Sequence, residues 1–361
     1  MRKLTIGIAV YNIKEEYLRA SIESVILGAD PDAEIIIVDD CSEESCGAIC
    51  AEYSADERVR YIRCEENLGI SGVRNKIISE AKGEWIVFVD GDDAVSERFS
   101  KVFGGVSGSL CDVIIFDYAK FSQKPHEVQI RNVSPIPLAP ETVYNLAVSA
   151  VARYDLYKTN DLNQELHPNS VWAAAYRREF LLDNKISFDR ELKTAEDSLF
   201  NAEVYLKNPR VISLDEVMYF YRLNPESVTN KYNKNSKDVT DQYLNAIGKC
   251  AANGFGNDKN VFESFLRYRC IGAIIDNFDR NIFHPDNPKS RNERKADLEN
   301  LLSAYPYKDA LCYVNECETH RQRLILKLSK SFAVLDFAYK HPCVFKLYGG
   351  ISRRFGSLKR K

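Results

Sequence analysis

The feature that most constrains the fold is the alternation of apolar runs with helical segments over the first ninety residues. Four short runs are apolar and rich in β-branched residues, as strands buried on both faces are: 3–10, 34–38, 59–62 and 84–90. The segments between them have helical periodicity, for example at Leu18, Ile22 and Val25. Strands that alternate with helices predict right-handed crossovers and a parallel, doubly wound α/β sheet.

Acidic residues follow two of these strands directly. Asp39-Asp40 ends the second strand, and Asp90-Gly91-Asp92-Asp93 ends the fourth. Because the carboxyl ends of parallel strands meet at one edge of the sheet, where ligands bind in α/β folds, we expect these acids to converge. Carboxylates in that place can hold Mg²⁺ or Mn²⁺ and bridge it to substrate phosphates. For either segment alone, a plain acidic turn is the alternative, since Asp and Gly are turn residues.

The remaining sequence predicts a change from a mixed part to a helical part. Up to residue 235 we expect a strand at 112–116, a proline-containing loop at 119–140, helices at 141–152 and 172–181, a helix opened by Glu196-Asp197, and a strand at 217–222. Beyond it we expect helices at 239–252, 258–282, 290–304, 308–330 and 331–348. The predicted domains are therefore 1–235 and a helical region with a basic tail at 236–361.

Several short motifs occur in a characteristic order: Ala9-Val10-Tyr11-Asn12, Val38-Asp39-Asp40-Cys41-Ser42, Asn67-Leu68-Gly69, Ala81-Lys82-Gly83-Glu84-Trp85-Ile86, Asp90-Gly91-Asp92-Asp93 and Glu196-Asp197. Over residues 4 to about 228 this order resembles an inverting family 2 glycosyltransferase, as found in bacterial polysaccharide biosynthesis. The resemblance implies a GT-A fold, that is, an α/β nucleotide-binding sheet with flanking helices. The helical C-terminal part contains no recognisable motif.

On the nucleotide side, the resemblance implies that Tyr11 and Asn12 lie at the end of the first strand and that Asp40 hydrogen-bonds the base. A carboxylate that accepts a ring N–H gives base selectivity. The chain departs from the family at two places, since Ala9 replaces a frequent proline and Cys41 replaces a glycine. Cysteine adopts a positive φ less readily than glycine, so the conformation of this loop is an open question.

On the diphosphate side, the resemblance implies that Asp92 is the direct metal ligand and that Asp90 reaches the ribose or a metal-bound water. Gly91 lies between them and belongs to the same nucleotide-binding motif. Arg74 matches a family Ala-Arg-Asn segment, and two roles remain open for it: to approach the diphosphate or to brace the acidic loops. Asp93 is expected to brace the loop.

For the chemical step, the resemblance implies that Asp197 is the general base, with Glu196 as the competing candidate. A helix N-terminus favours an ionised acid, so we expect Asp197 to be ionised. Trp172 has two interpretations, a side chain that lines the acceptor site or a core residue. Arg222 likewise either contacts a phosphate or forms a buried structural ion pair.

The implied activity is metal-dependent transfer, with Mn²⁺ or Mg²⁺, from a nucleotide-sugar donor, in the first instance a UDP-sugar. The acceptor would be a hydroxyl of a glycan or of a lipid-linked acceptor in cell-surface polysaccharide synthesis. A nucleotidyltransferase is the alternative enzyme, although it would place a glycine-rich basic loop where Tyr11-Asn12-Ile13-Lys14 stands. A catalytically inactive nucleotide- or glycan-binding protein is the non-enzymatic alternative.

Charge is unevenly distributed along the chain. Residues 321–361 contain eleven Lys and Arg against one acid, whereas the whole chain has a net charge of −3. Leu324, Leu328, Phe332 and Leu335 have the spacing of a basic amphipathic helix at a membrane surface; a packed helix with a cationic tail is the alternative. Scattered cysteines suit a cytoplasmic protein, here with peripheral contact to the inner face of the membrane. No nucleic-acid partner is expected, because the tail lacks a platform of aromatic and basic residues.

Overall fold

The structure is a computed structural model that describes residues 3–108, 110–122, 134–153, 166–223 and 231–345. The chain divides into two compact units, one of residues 1–150 and 155–224 and the other of residues 151–154 and 225–361. The first unit contains the sheet, and the second is helical. The predicted domain boundary at residue 235 lies shortly after the division between these units.

The strands of the first unit form a single mixed sheet. Among the described residues the strand order is β3-β2-β1-β4-β8-β6-β9-β5, and β7 pairs with β9. The strands are β1 (Leu4–Val10), β2 (Glu34–Asp39), β3 (Val59–Arg63), β4 (Trp85–Asp90), β5 (Ala94–Val95), β6 (Val113–Phe121), β7 (Ile136–Pro137), β8 (Ala174–Arg177) and β9 (Val211–Arg222).

The first four long strands confirm the predicted alternation. Strands β3, β2, β1 and β4 are mutually parallel, and every residue of β1 and β2 is buried. Burial on both faces explains why these runs are continuously apolar instead of alternating. The helices of this unit are α1 (Glu15–Gly28), α2 (Glu44–Glu52), α3 (Gly69–Glu80), α4 (Phe99–Gly104), α5 (Pro140–Ala152), α6 (Arg178–Asp183) and α7 (Glu196–Leu206).

The predicted parallel pairing holds for the strands up to β4, and the strands beyond it add antiparallel pairs. The helix predicted over 172–181 was wrong. Residues Ala174–Arg177 instead form β8, which pairs antiparallel with both β4 and β6. Only the end of the predicted segment is helical, as α6. The alanine-rich run favours a helix locally, but pairing with two neighbouring strands outweighs that preference.

The second unit contains α8 (Ser236–Phe255), α9 (Lys259–Ser264), α10 (Ile271–Asn277), α11 (Arg291–Ser303), α12 (Tyr307–Ala310), α13 (His320–Leu328) and α14 (Phe332–Lys340). The π-helical turn Phe265–Cys270 connects α9 to α10, and a second, Phe278–Ile282, extends α10, so that a continuous helical run occupies the range predicted at 258–282. The single helix predicted at 308–330 was wrong, since α12, a 3₁₀ segment and α13 occupy that range. None of the described helices is both long and apolar enough to cross a membrane.

Three of the four apolar residues of the predicted membrane-surface face are buried within this unit, and Leu328 is partly exposed. Leu324, Phe332 and Leu335 are at most 8% exposed, and α13 and α14 are separated by Ser329–Ser331. Their apolar side chains therefore serve the packing of the helices. The basic residues from 346 to the C-terminus, on which the membrane prediction also rests, lie outside the described residues.

Candidate active site

The register of the sheet brings the predicted acids to one rim. Val10 of β1 is paired with Asp39 of β2, and Ala9 is paired with Asp90 of β4. Both acidic strand ends therefore flank the carboxyl end of β1. This placement follows from the parallel β2-β1-β4 order, and the convergence expected from the sequence is present.

At the end of β2, both acids are engaged by neighbouring groups of the protein. Asp39 accepts hydrogen bonds from the Ser42 amide at 2.9 Å, the Tyr61 hydroxyl at 2.7 Å and Arg63 Nη1 at 3.0 Å. Asp40 accepts from the backbone amides of Leu68 at 2.6 Å and Gly69 at 3.0 Å. Asp40 thus caps α3 from another strand, supplying an acceptor for amides that a helix start leaves without a partner.

Two residues of this rim have left-handed backbone conformations. Cys41 has a φ of 60°, so the position that holds glycine in the family requires that conformation here as well. Asn12 has a φ of 48°; its amide donates to Ser42 Oγ at 3.0 Å, and its Oδ1 accepts from the Glu43 amide at 2.8 Å. Asn12 therefore fixes the loop after β2, and asparagine tolerates this conformation better than most residues.

At the end of β4, the turn is held by close backbone packing. A Cβ atom at Gly91 would lie 2.8 Å from the carbonyl oxygen of Ala9, so only glycine fits beside β1. Asp93 is buried and accepts from the Tyr219 hydroxyl at 2.6 Å and the Arg222 amide at 2.7 Å. These contacts show that Asp93 braces the turn, as the sequence predicts.

Arg74 lies at the centre of the acidic cluster. The side chain is 3% exposed, and its Nη2 donates to Asp90 Oδ1 at 3.0 Å. Its Nη1 donates to Glu196 Oε1 at 3.1 Å and to Asp197 Oδ1. One buried guanidinium therefore joins the turn after β4 to the first turn of α7. Of the two roles left open by the sequence, the bracing of acidic loops is the one seen.

Three carboxylates share this one cation, and for Asp197 burial is the largest influence on the pKa. Burial raises the pKa of Asp197 to about 8; Arg74 lowers it, and the charges of Glu196 and Asp90 raise it further. Burial and the charge of Asp90 likewise raise the pKa of Asp93 to about 8. The raised pKa opposes the ionised state that is expected for Asp197 at a helix N-terminus, whereas the ion pair with Arg74 favours that state.

Comparison with known proteins identifies the family. The model of glycosyl transferase family 2 matches residues 5–183. The glycosyltransferase EpsJ of Bacillus subtilis (strain 168), itself uncharacterized, is 31% identical over 339 residues, which cover 91% of this chain and 92% of EpsJ. The chain belongs to glycosyl transferase family 2. This glycosyltransferase is therefore an enzyme, as the sequence predicts.

A solved structure supports the same assignment at the level of the fold. Staphylococcus aureus TarS, residues 1–349 in complex with UDP-GlcNAc, matches with a TM-score of 0.61 at 19% identity, covering 98% of this chain and 92% of that one. In sequence, the poly(ribitol-phosphate) beta-N-acetylglucosaminyltransferase TarS of Staphylococcus aureus (strain Mu50) is 27% identical over 233 residues. The aligned residues cover 63% of this chain but 36% of TarS. The predicted GT-A fold with a helical C-terminal part is confirmed.

Two acids at the rim are the candidate metal-binding residues of this glycosyltransferase. Asp92 is partly exposed at the rim, and Asp90 is 29% exposed. Within the part of the chain that the structure describes, no group of three or more His, Cys, Asp or Glu side chains could hold a metal ion. Mg²⁺ is commonly held by one or two carboxylates together with substrate phosphates and water, so two acids are an adequate protein contribution.

Two further sequence candidates have contrasting surroundings. Tyr11 is 53% exposed at the end of β1, where it can provide a flat surface to a ligand. Trp172 is buried, stacked on Tyr219 at 4.7 Å and on Tyr221 at 5.5 Å between ring centroids. Of its two interpretations, the core residue is the one seen.

Arg222 is buried and holds the acidic turn after β4. Its Nε donates to the carbonyl oxygen of Asp92 at 2.6 Å, and its guanidinium lies over the rings of Tyr17 and Phe121, at 4.3 and 4.4 Å. Neither of the roles expected from the sequence describes these contacts, which are made with a backbone carbonyl and two aromatic faces.

Sequence reasoning missed two residues that support the cluster. Tyr219 bridges the turn, with its hydroxyl near the Asp90 amide at 3.3 Å and donating to Asp93. The ring of Phe188 lies 5.4 Å from the Arg74 guanidinium, and its backbone exchanges two hydrogen bonds with Asn75, both of 2.8 Å. The alternating aromatic residues of β9 could have indicated Tyr219, but no local signal marks Phe188.

Proposed function

We propose that this protein catalyses metal-dependent, inverting transfer of a sugar from a UDP-sugar to a hydroxyl of a glycan or lipid-linked acceptor in cell-surface polysaccharide synthesis. The observation that carries the proposal is the contact of one buried guanidinium, that of Arg74, with Asp90, Glu196 and Asp197. It joins an acid that can face the donor to an acid that can face the acceptor. A single displacement requires that the acid facing the donor and the acid facing the acceptor are held at a fixed distance and orientation.

The donor class is supported by the relatives. TarS is named as a poly(ribitol-phosphate) beta-N-acetylglucosaminyltransferase, and its matching structure holds UDP-GlcNAc. We propose a UDP-sugar on that basis, with Tyr11 facing the uracil and Asp40 selecting it. Asp40 already accepts two backbone amides, but a carboxylate has about four lone-pair sites and can accept a ring N–H as well.

Asp92 and Asp90 are the residues proposed to hold Mg²⁺ or Mn²⁺. The bound cation would neutralise the charge that builds on the diphosphate leaving group. Arg74 keeps Asp90 in position from the protein side, and Gly91 allows the turn to lie against β1. Loss of such charge stabilisation typically costs about 3–4 kcal/mol.

Asp197 is the proposed general base. It takes the proton from the acceptor hydroxyl as that oxygen forms a bond to the anomeric carbon, and the bond to the nucleoside diphosphate breaks on the opposite face. One displacement inverts the anomeric configuration. The carboxylate is oriented by Arg74 and by the Val171 amide, whose nitrogen is 3.4 Å from Oδ2. Glu196 shares the same guanidinium and is the competing candidate.

The deciding experiment is a donor screen that measures nucleotide release from UDP-, GDP- and dTDP-sugars with Mg²⁺, with Mn²⁺ and with EDTA. We expect metal-dependent release of UDP that increases with a suitable glycan acceptor. Asp197→Asn should lower transfer by about 10²–10⁴-fold while UDP affinity stays within a few-fold. Release of pyrophosphate from a nucleoside triphosphate would instead identify a nucleotidyltransferase. UDP binding without transfer to any acceptor would identify an inactive binding protein.

A further inference from the structure

A cation-lined cavity lies in the helical unit, formed by α11, α12 and the start of α14. Its volume is about 810 Å³. Four cationic side chains, Arg291, Lys295, Lys308 and Lys330, contribute to its wall, against one acid, Glu299. The wall therefore has an excess of positive charge although the whole chain is slightly acidic.

The cations of this cavity differ in how far they are neutralised. Arg291 is 3.6 Å from Asp336, and Lys295 is 3.7 Å from Glu299. Lys308 and Lys330 are both exposed, and in the described ranges neither forms an ion pair. Two ammonium groups on one concave wall repel each other, so a ligand that brings negative charge into the cavity is favoured.

Exposed apolar side chains border the cavity on α14. Ala333 lines the cavity, and Phe337 follows it one turn later on the exposed side of the helix. Phe337 is 57% exposed and Val334 is 47% exposed, while the opposite side of α14 is buried through Phe332 and Leu335. The same surface thus presents both cations and apolar groups.

We propose that this cavity binds the phosphate headgroup of an anionic phospholipid, with Phe337 and Val334 entering the membrane interface. Lysines at such a surface attract acidic lipids, and an aromatic side chain adds apolar burial. A soluble polyanion would use the lysines but would gain nothing from Phe337, so the exposed apolar residues favour a membrane. The inference concerns this unit alone, and it extends the proposed function by bringing the enzyme to the surface where a lipid-linked acceptor resides.

Vesicle binding by the full chain tests the proposal, with phosphatidylcholine vesicles that either contain or lack phosphatidylglycerol. We expect binding only with phosphatidylglycerol, at least about tenfold weaker for Lys308→Gln/Lys330→Gln. Phe337→Ser should also weaken it several-fold. The matched control is Lys249→Gln/Lys259→Gln, which removes two exposed lysines elsewhere in the same unit and should change binding less than about twofold.

The basic C-terminal tail requires a separate arm of the experiment. A chain in which all five Lys and Arg of residues 351–361 are changed to Gln should still lose vesicle binding when Lys308 and Lys330 are replaced. The proposal would be overturned if the lysine substitutions in the cavity and the control substitutions weakened vesicle binding equally. It would also be overturned if replacing Lys308 and Lys330 in the tail variant weakened vesicle binding no further. Equal affinity for long-chain polyphosphate, unaffected by Phe337→Ser, would identify a polyanion site instead. UDP release without vesicles is measured in parallel, so failure of lipid binding is distinguishable from failure of the glycosyltransferase proposal.

Discussion

The acidic turns after β2 and β4 look alike in the sequence but are used differently. Asp39 and Asp40, after β2, receive backbone amides, a hydroxyl and one partly exposed arginine. After β4, Asp90 instead shares the fully buried Arg74 with two acids of α7. The acids after β2 hold the neighbouring loops in place. Asp90, after β4, belongs to a group of three carboxylates whose negative charge exceeds the single positive charge of Arg74.

This difference explains why a pair of acids at a strand end does not by itself define a catalytic role. Backbone amides compensate a carboxylate locally and cap a helix at the same time. A guanidinium shared by three carboxylates leaves a net negative charge that suits a divalent cation. Substitutions in the two regions should separate these roles, and the largest effect is expected after β4.

Asp92→Ala should have the largest effect, because it removes the proposed direct metal ligand after β4. We expect metal-dependent nucleotide release to fall by about 10²–10³-fold, as loss of about 3–4 kcal/mol of charge stabilisation implies. The measurement is initial-rate kinetics with varied Mg²⁺. Asp32→Ala, an exposed acid before β2, is the control and should leave the rate unchanged. Normal turnover of Asp92→Ala would exclude the proposed metal site.

Arg74→Met should produce the largest loss of stability. Removing the cation leaves three carboxylates close together in a buried site, and the free energy of unfolding should fall by about 3–5 kcal/mol. Urea denaturation measures it. Arg19→Met is the control, since Arg19 also contacts two acids, Glu15 and Glu52, but at an exposed site, where the cost is about 0–1 kcal/mol. Similar losses for both variants would contradict the contrast between the two regions.

Asp40→Ala should chiefly destabilise the chain, because the amides of Leu68 and Gly69 lose their acceptor. We expect the free energy of unfolding to fall by about 1–3 kcal/mol. Glu66→Ala, an exposed acid in the same loop, should be within about 0.5 kcal/mol of the wild type. An unchanged stability of Asp40→Ala would show that the cap contributes nothing. Affinity for UDP relative to ADP, measured on the same protein, tests its proposed selection of the base.

The pH dependence of transfer should follow Asp197. Because burial raises the pKa of Asp197 to about 8, the carboxylate that can accept a proton becomes more populated as the pH rises towards that value. The transfer rate should therefore increase with pH up to about 8 and level off above it, with about a tenfold change per pH unit below the pKa. UDP affinity measured over the same pH range separates the chemical step from binding. A rate that is flat from pH 6 to 8 would argue against this base.

Cys41→Gly should have the smallest effect, and it should be stabilising. Cys41 has a φ of 60°, which costs an L-residue roughly 1–2 kcal/mol, whereas glycine adopts it freely but loses more chain entropy. We expect a net gain of up to about 1 kcal/mol, seen as a higher melting temperature. Ser45→Gly, an exposed position in α2, should instead destabilise by about the same amount. A lower melting temperature for Cys41→Gly would be inconsistent with strain at this position.

The sequence by itself determined the strand–helix alternation through β4, the acidic turn after it and the family. These features are local: continuous apolar runs report burial on both faces, and Gly91 reports a backbone contact that excludes any side chain. The placement of Asp39 and Asp90 beside β1 also followed, because parallel strands fix which ends meet.

Only the tertiary structure decided how β8 is inserted, which groups engage Asp40, and that Arg74 joins the two acidic regions. Each depends on residues distant in sequence: β8 takes two antiparallel neighbours, and Arg74 contacts Asp197 across more than a hundred residues. Local preference favoured a helix at Ala174–Arg177 and an ionised acid at Asp197. Strand pairing outweighed the helical preference, and burial raises the pKa of Asp197; neither effect can be read from a short window of sequence.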